Sequence, residues 1–253
     1  MRLVSWNVNS LRNAEDAFLR FMESEQPDVM MIQELRAFPH DLSFFLQLVD
    51  GYEVIFNPSE KAGYSGTALY WKKTLPLEVT ARVGDELLDS EGRTIEAVMG
   101  DTHIINWYTP NGGNPDRLSF KYRFYDAIEH RIAKLLSENK HVVMGGDLNV
   151  AHTPLDIFDA TLTNHSGFLN DERAWMDRLV ALGMSDTFRL FEKEKGHYSW
   201  WNLKDPTRGR NQGIRFDYFL TSPELTKKVT SAVIRHDVFG SDHCPVVLEL
   251  STV

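Results

Sequence analysis

Cysteine is nearly missing from this chain of 253 residues: Cys244 stands alone, which excludes an internal disulfide and fits a reducing compartment. A lone cysteine of this kind is expected to be a buried apolar filler and not a nucleophile. Long apolar runs are missing as well. None approaches the length of a membrane span, and the opening Met1-Arg2-Leu3-Val4-Ser5-Trp6-Asn7 lacks the apolar core of a signal peptide. No membrane association and a cytoplasmic location are therefore expected. There is no excess of positive charge, since 27 Lys plus Arg face 36 Asp plus Glu, for a formal charge of −9. That balance excludes indiscriminate nucleic-acid binding through overall charge, because phosphate contacts come from lysine and arginine. It leaves room for a local basic face and for a divalent cation, whose site needs carboxylates. No Pro/Ser-rich linker, low-complexity segment or short-period repeat divides the chain, so a single domain spanning 1–253 is expected, as a monomer.

What is present is an ordinary globular composition, 42% hydrophobic and 25% charged, with strong local patterning. The segment from His141 to Asn149 is an apolar run bounded by glycines and reads as a buried strand, with Asp147 and Asn149 at its carboxyl end. Period two places both on one side of the sheet, where a carboxylate and an amide could bind a cation, aim a water or stabilise an oxyanion. An Asx-turn after an ordinary strand end would use the same two residues.

Earlier in the chain, Arg2 to Asn7 alternates as a strand, Ala14 to Glu25 places Ala17, Phe18, Phe21 and Met22 on one helical face, and Val29 to Ile32 is a second strand leading to Gln33-Glu34. This βαβ unit gives Asn7 and Glu34 a common edge. Tyr52–Phe56, Thr67–Trp71, Thr94–Met99 and His103–Tyr108 read as consecutive strands with antiparallel pairing, so the fold class is mixed α/β. A long amphipathic helix from Leu118 to Leu136 leads back to the strand at His141. After a loop from Ala151 to Asn170 come a helix from about Glu172 to Leu182 and an aromatic stretch, Tyr198-Ser199-Trp200-Trp201. Arg208, Arg210 and Arg215 follow as a candidate basic face, then strands at Phe216–Leu220 and Val246–Leu250.

Asn7, Glu34, Asp147, Asn149, Asp217, Asp242 and His243 all fall at or beside predicted strand ends. Singly, each has a structural explanation; together they mark the edge of one sheet system as a candidate site.

The ordered set Ser5-Trp6-Asn7-Val8-Asn9, Ile32-Gln33-Glu34, Gly63-Tyr64-Ser65-Gly66, Tyr108-Thr109-Pro110-Asn111, Gly146-Asp147-Leu148-Asn149, Arg215-Phe216-Asp217-Tyr218 and Gly240-Ser241-Asp242-His243-Cys244-Pro245 resembles the exonuclease III/AP endonuclease family, within the endonuclease/exonuclease/phosphatase superfamily. The resemblance runs from end to end. It implies a DNase I-like four-layer sandwich of two mixed β-sheets flanked by helices. It also implies Mg2+-dependent hydrolysis, with Mn2+ as a substitute, of damaged double-stranded DNA 5′ to abasic sites, together with 3′-to-5′ exonuclease or 3′-end trimming. By the same resemblance Glu34 is the principal metal ligand, with Asn7, Asp147, Asn149, Asp242 and His243 at the metal edge. Asp147 aims or deprotonates the attacking water with support from Asn149, Asp217 holds the imidazole of His243 against the scissile phosphate, and Tyr108 contacts the phosphate or leaving oxygen. Asn111, Trp200, Arg208, Arg210, Ile214 and Phe216 are the expected substrate contacts, with Trp200, Ile214 and Phe216 walling a pocket for a flipped abasic sugar.

Four departures concern substrate preference. Asn9 stands where many relatives have Asp, Ile214 where Trp is usual, Arg36 where Lys is common, and the loop Asn111–Pro115 lacks an arginine that some relatives use on DNA. Two other functions share the fold: a phosphatase acting on a phosphomonoester or phosphoinositide, and a catalytically silent DNA-binding module. The Tyr-Ser-Trp-Trp and Arg-x-Arg segments disfavour the first, and the retention of Glu34, Asp147, Asn149, Asp217 and His243 together disfavours the second.

Overall fold

A parallel strand pair with a crossing helix opens the computed structural model, which describes residues 1–82, 84, 89–203 and 207–251. The remaining positions of the expected 1–253 domain lie outside the described residues. Strands β1 (Arg2–Asn7) and β2 (Val29–Gln33) pair in parallel through helix α1 (Glu15–Glu25), which buries Phe18, Phe21 and Met22 on the face its 3.6-residue period predicts. Around this pair stand β3 (Tyr52–Asn57), β4 (Thr67–Lys72), β11 (Val229–Ile234) and β12 (Val246–Leu250), in the order β11-β12-β1-β2-β4-β3. The second sheet runs β5-β6-β7-β8-β10-β9, from β5 (Glu78–Thr80), β6 (Thr94–Met99), β7 (Thr102–Trp107), β8 (His141–Asp147), β9 (Ser185–Asp186) and β10 (Asp217–Thr221). Each sheet has one parallel pair, β1 with β2 and β7 with β8; the other pairings are antiparallel.

The strands between Tyr52 and Tyr108 do pair antiparallel with their chain neighbours, but the block is split between sheets: β3 and β4 belong to the first, β5 to β7 to the second. Alternation along each strand sorts side chains into layers. Leu3, Val29, Met31 and Leu69 meet Ile95, Ile104, Val143 and Phe219 between the sheets. Val4, Trp6, Met30 and Ile32 face outward under α1. On the far side Ile105, Trp107, Val142 and Met144 pack beneath α2 (Pro115–Ser137) and α3 (Asn170–Ala181). The result is the expected helix–sheet–sheet–helix sandwich. Among the described residues no helix is long and apolar enough to cross a membrane.

Close sheet packing accounts for the Gly-Gly pair before Asp147. A Cβ at Gly146, whose φ is +150°, would lie 1.9 Å from the carbonyl oxygen of Trp107, and one at Gly145 would strike the Phe219 ring. Cys244 is fully buried, and burial pushes its thiol above the ordinary range, so it is the inert filler its isolation suggested.

Candidate active site

Strand direction gathers the polar residues. β1, β2 and β8 deliver Asn7, Glu34 and Asp147 at or just past their carboxyl ends. β10 runs antiparallel to β8, so its first residue, Asp217, lies opposite Asp147. β12 runs antiparallel to β1, which brings His243, just before its start, to the same edge. Donor atoms of Glu34, Asp147 and His243 lie within 4.8 Å of one another.

A hydrogen-bond network fixes this cluster. The Asn7 side-chain amide bridges both carboxylates, donating to Glu34 Oε1 at 3.1 Å and Asp147 Oδ2 at 2.9 Å, while its Oδ1 accepts from the backbone N–H of Asn9 at 3.0 Å. Tyr108 donates its hydroxyl to Glu34 Oε1 at 2.9 Å. Glu34 Oε2 is buried and has no hydrogen-bond partner among the described residues, although Arg36 forms an ion pair with it. The His243 Nδ1 and Asp217 Oδ2 atoms are 2.8 Å apart, and His243 Nε2 faces Asp147 Oδ2 at 3.9 Å. Burial disfavours the charged imidazole, but Asp217 and Asp147 outweigh it and raise His243 to about 10. At Asp147 burial dominates and raises the carboxyl, against the pull of His243.

Asp147 and Asn149 meet by a different route from the one period two suggests. β8 ends at Asp147, Asn149 turns to φ +50°, and its backbone N–H donates to Asp147 Oδ1 at 2.9 Å, which is an Asx-turn. The Asn149 amide then donates to Asp147 Oδ2 and to the Thr109 carbonyl. Asn9 and Glu34 also hold positive φ, so left-handed backbone recurs around the cluster.

Asp242 stays outside the three-residue cluster. Its Oδ1 accepts from the Asn9 amide at 2.9 Å and its Oδ2 from the Trp200 indole N–H at 3.0 Å, so its carboxylate is occupied in orienting those side chains. Trp200, half-buried, lies 5.5 Å from the Phe216 ring and 6.5 Å from His243, and it bridges to Ile214. The three residues expected to wall a pocket thus adjoin the polar cluster. Asn111 is exposed on the loop after β7.

Of the candidate basic face, Arg215 requires correction. It is 1% exposed and pairs with Asp156 and Asp186, because a buried guanidinium needs fixed carboxylates, so it is structural. Arg208 is half-buried over Trp201 and Phe239 and donates to backbone carbonyls, whereas Arg210 is exposed. The sequence reading missed Lys121 and Glu172, a fully buried ion pair whose lysine also donates to the Asn149 carbonyl at 2.7 Å. The signal was faint: Lys121 occupies the apolar face of α2, at i−4 from Tyr125.

Two sheets thus converge on a carboxylate–histidine cluster beside an aromatic wall, a donor set able to hold a hard cation and to serve hydrolytic chemistry. A family model described as the endonuclease/exonuclease/phosphatase family matches residues 4–243, and the chain belongs to that family. It is 38% identical to an exodeoxyribonuclease of Bacillus subtilis (strain 168), over 98% of each chain. It is 33% identical to a DNA-(apurinic or apyrimidinic site) endonuclease of Dictyostelium discoideum, over 97% of this chain and 69% of that one. The crystal structure of an AP endonuclease from Leishmania major superposes with a TM-score of 0.88 at 29% identity, covering all of this chain and 88% of the other. The protein is a hydrolase of the exodeoxyribonuclease and AP endonuclease type.

Proposed function

We propose that the chain is a Mg2+-dependent DNA-repair phosphodiesterase that cuts the backbone 5′ to abasic sites and trims 3′ ends, Mn2+ being able to replace Mg2+. The observation that carries this reading is the meeting of Glu34, Asp147 and His243 within 4.8 Å, directly beside the Trp200–Phe216 wall. The donor set fits a hard cation: the Glu34 and Asp147 carboxylates converge there, and Glu34 Oε2 already attracts one positive group, Arg36. Glu34 and Asp147 would hold the ion, which supplies charge neutralisation for the phosphate oxygens.

The remaining steps belong to the chain's own side chains. Asp147, with both oxygens fixed by Asn7 and Asn149, aims the attacking water and takes its proton as the water oxygen bonds to phosphorus. His243, held through Nδ1 by Asp217, presents Nε2 to a non-bridging oxygen. The bond from phosphorus to the 3′ oxygen of the preceding nucleotide breaks, the Tyr108 hydroxyl hydrogen-bonds that leaving oxygen, and a proton from solvent completes the 3′ hydroxyl. The wall formed by Trp200, Ile214 and Phe216 accepts the extruded sugar, and an abasic nucleotide enters at least cost because no base must be unstacked.

The test offers end-labelled duplexes, intact, abasic or 3′-blocked, with Mg2+ or with EDTA, and maps the cuts. Cation-dependent incision immediately 5′ to the abasic position is the expected result, and Glu34→Gln should raise the Mg2+ requirement while DNA binding persists. Release of phosphate from monoesters with every chain left uncut would overturn the proposal.

A further inference from the structure

Arg93 is 2% exposed and lies just before β6, opposite the residue that follows β7, Tyr108, whose backbone N–H donates to the Arg93 carbonyl at 2.9 Å. The Arg93 guanidinium carbon sits 4.3 Å from the centroid of the Tyr108 ring, and Nη1 donates to the Tyr108 carbonyl at 3.4 Å. One side chain therefore grips Tyr108 by its ring face and by its backbone. The guanidinium is itself fixed from behind: Nε donates to Glu91 Oε2 at 2.6 Å, Nη2 donates to the Tyr64 hydroxyl at 3.3 Å, and Glu91 is clamped by both terminal nitrogens of Arg117. On the far side of the ring, the Tyr108 hydroxyl reaches Glu34 Oε1 at 2.9 Å.

Resting on the reading that Tyr108 touches the substrate, we propose that Arg93 is a positioning residue for this reaction: it sets the plane of the Tyr108 ring and so the place of its hydroxyl over Glu34. A buried cation is costly to keep, and packing alone would be met by an apolar side chain of similar volume. A planar, forked guanidinium does what such a side chain could not, since it stacks on an aromatic face while its nitrogens hold three fixed acceptors. Misplacement of a reacting group by about 1 Å costs on the order of 100-fold in rate. Ring orientation is thus worth a dedicated buried charge.

The experiment is a double-mutant cycle on kcat for abasic-duplex incision with Mg2+, using Arg93→Lys and Tyr108→Phe. Lysine keeps the charge and loses the fork and the stack. Arg93→Lys is expected to lower kcat about 10- to 100-fold with little change in KM. In the Tyr108→Phe background the same change should cost almost nothing further, because no hydroxyl remains to be placed. If thermal melting shows Arg93→Lys unfolded, Glu91→Gln loosens the guanidinium from behind and carries the same cycle, with a smaller loss that again vanishes in Tyr108→Phe. A loss in Tyr108→Phe that adds fully to the second loss overturns the inference alone, since a merely structural arginine would behave in that way. Full activity in Tyr108→Phe overturns the role given to Tyr108, and the inference with it.

Discussion

Trp200 shows what one side chain can join. Its indole N–H is tied to Asp242, its ring lies against Phe216, and its ring also neighbours His243, so a single residue connects the aromatic wall to the polar cluster. Because it is only half-buried, truncation should leave the core nearly intact. Trp200→Ala is expected to reduce abasic incision by at least about tenfold, and with it the preference for abasic over intact duplex, while the melting temperature shifts by only a few degrees. A folded variant with its full preference would remove Trp200 from the pocket. Trp200, Ile214 and Phe216 were legible as a group only through the family resemblance, since the first lies fourteen residues from the second and no local period joins them. The adjacent Asp-His pair alone carries no metal-binding role, and Asp242 was expected at the metal edge through the family resemblance. Its actual partners, an asparagine at φ +50° and an indole from a distant loop, depend on contacts that no local pattern encodes.

At the scale of elements, the strands and long helices were legible because hydrophobic period is a local property; β6 and β12 match their expected spans, and α2 extends a few residues beyond its own. Less legible were the short edge strands β5 and β9, too brief for a period, and the buried charges that pin the loop between β8 and α3. In sequence Glu172 and Asp156 look like solvent-facing residues, Lys121 differs only by its place on the apolar face of α2, and tertiary pairing is what holds all three charges inside. Asp156 is fully buried; it accepts from Arg215 at 2.8 Å and Arg189 at 2.6 Å, and caps the Pro154–Asp156 turn through Thr153. The two guanidiniums overcome the cost of burial and hold its carboxyl well below the usual range. A depressed folded value means that the stabilisation is present above the unfolded carboxyl value, about 4, and is lost as pH falls below it. Asp156→Asn should therefore cost about 3–5 kcal/mol at neutral pH, the penalty for breaking one side of a buried pair. The gap from the parent protein should narrow progressively in urea melts below pH 4. A constant gap across that window would show that Asp156 acts through shape and not through charge.

The whole molecule carries a charge of −9 and still has a polyanion as its proposed substrate. At physiological ionic strength the screening length is about 8 Å, so acidic faces remote from the site contribute little, and the outcome rests on the few cations that touch phosphate. The arginines that looked alike in sequence differ in this respect. Arg215 is neutralised inside by Asp156 and Asp186. Arg208 lies 4.2 Å from the Phe239 ring and 4.7 Å from that of Trp201, and donates to the carbonyls of His236 and Val238, so it fastens its loop to the segment before His243. Arg210, on the same loop, is exposed. Arg210→Gln is therefore expected to weaken binding to every duplex alike and to flatten the dependence of log affinity on log salt by roughly 0.9, the contribution of one phosphate contact, with cut positions unchanged. Arg208→Ala should instead lose roughly 1–3 kcal/mol of stability through packing and hydrogen bonds, with little change in that slope. Fluorescence-anisotropy titrations of a labelled duplex between 50 and about 200 mM salt, run beside thermal melts, separate the two. A slope change confined to Arg208→Ala would reverse the assignment and place the stacked arginine, not the exposed one, against DNA.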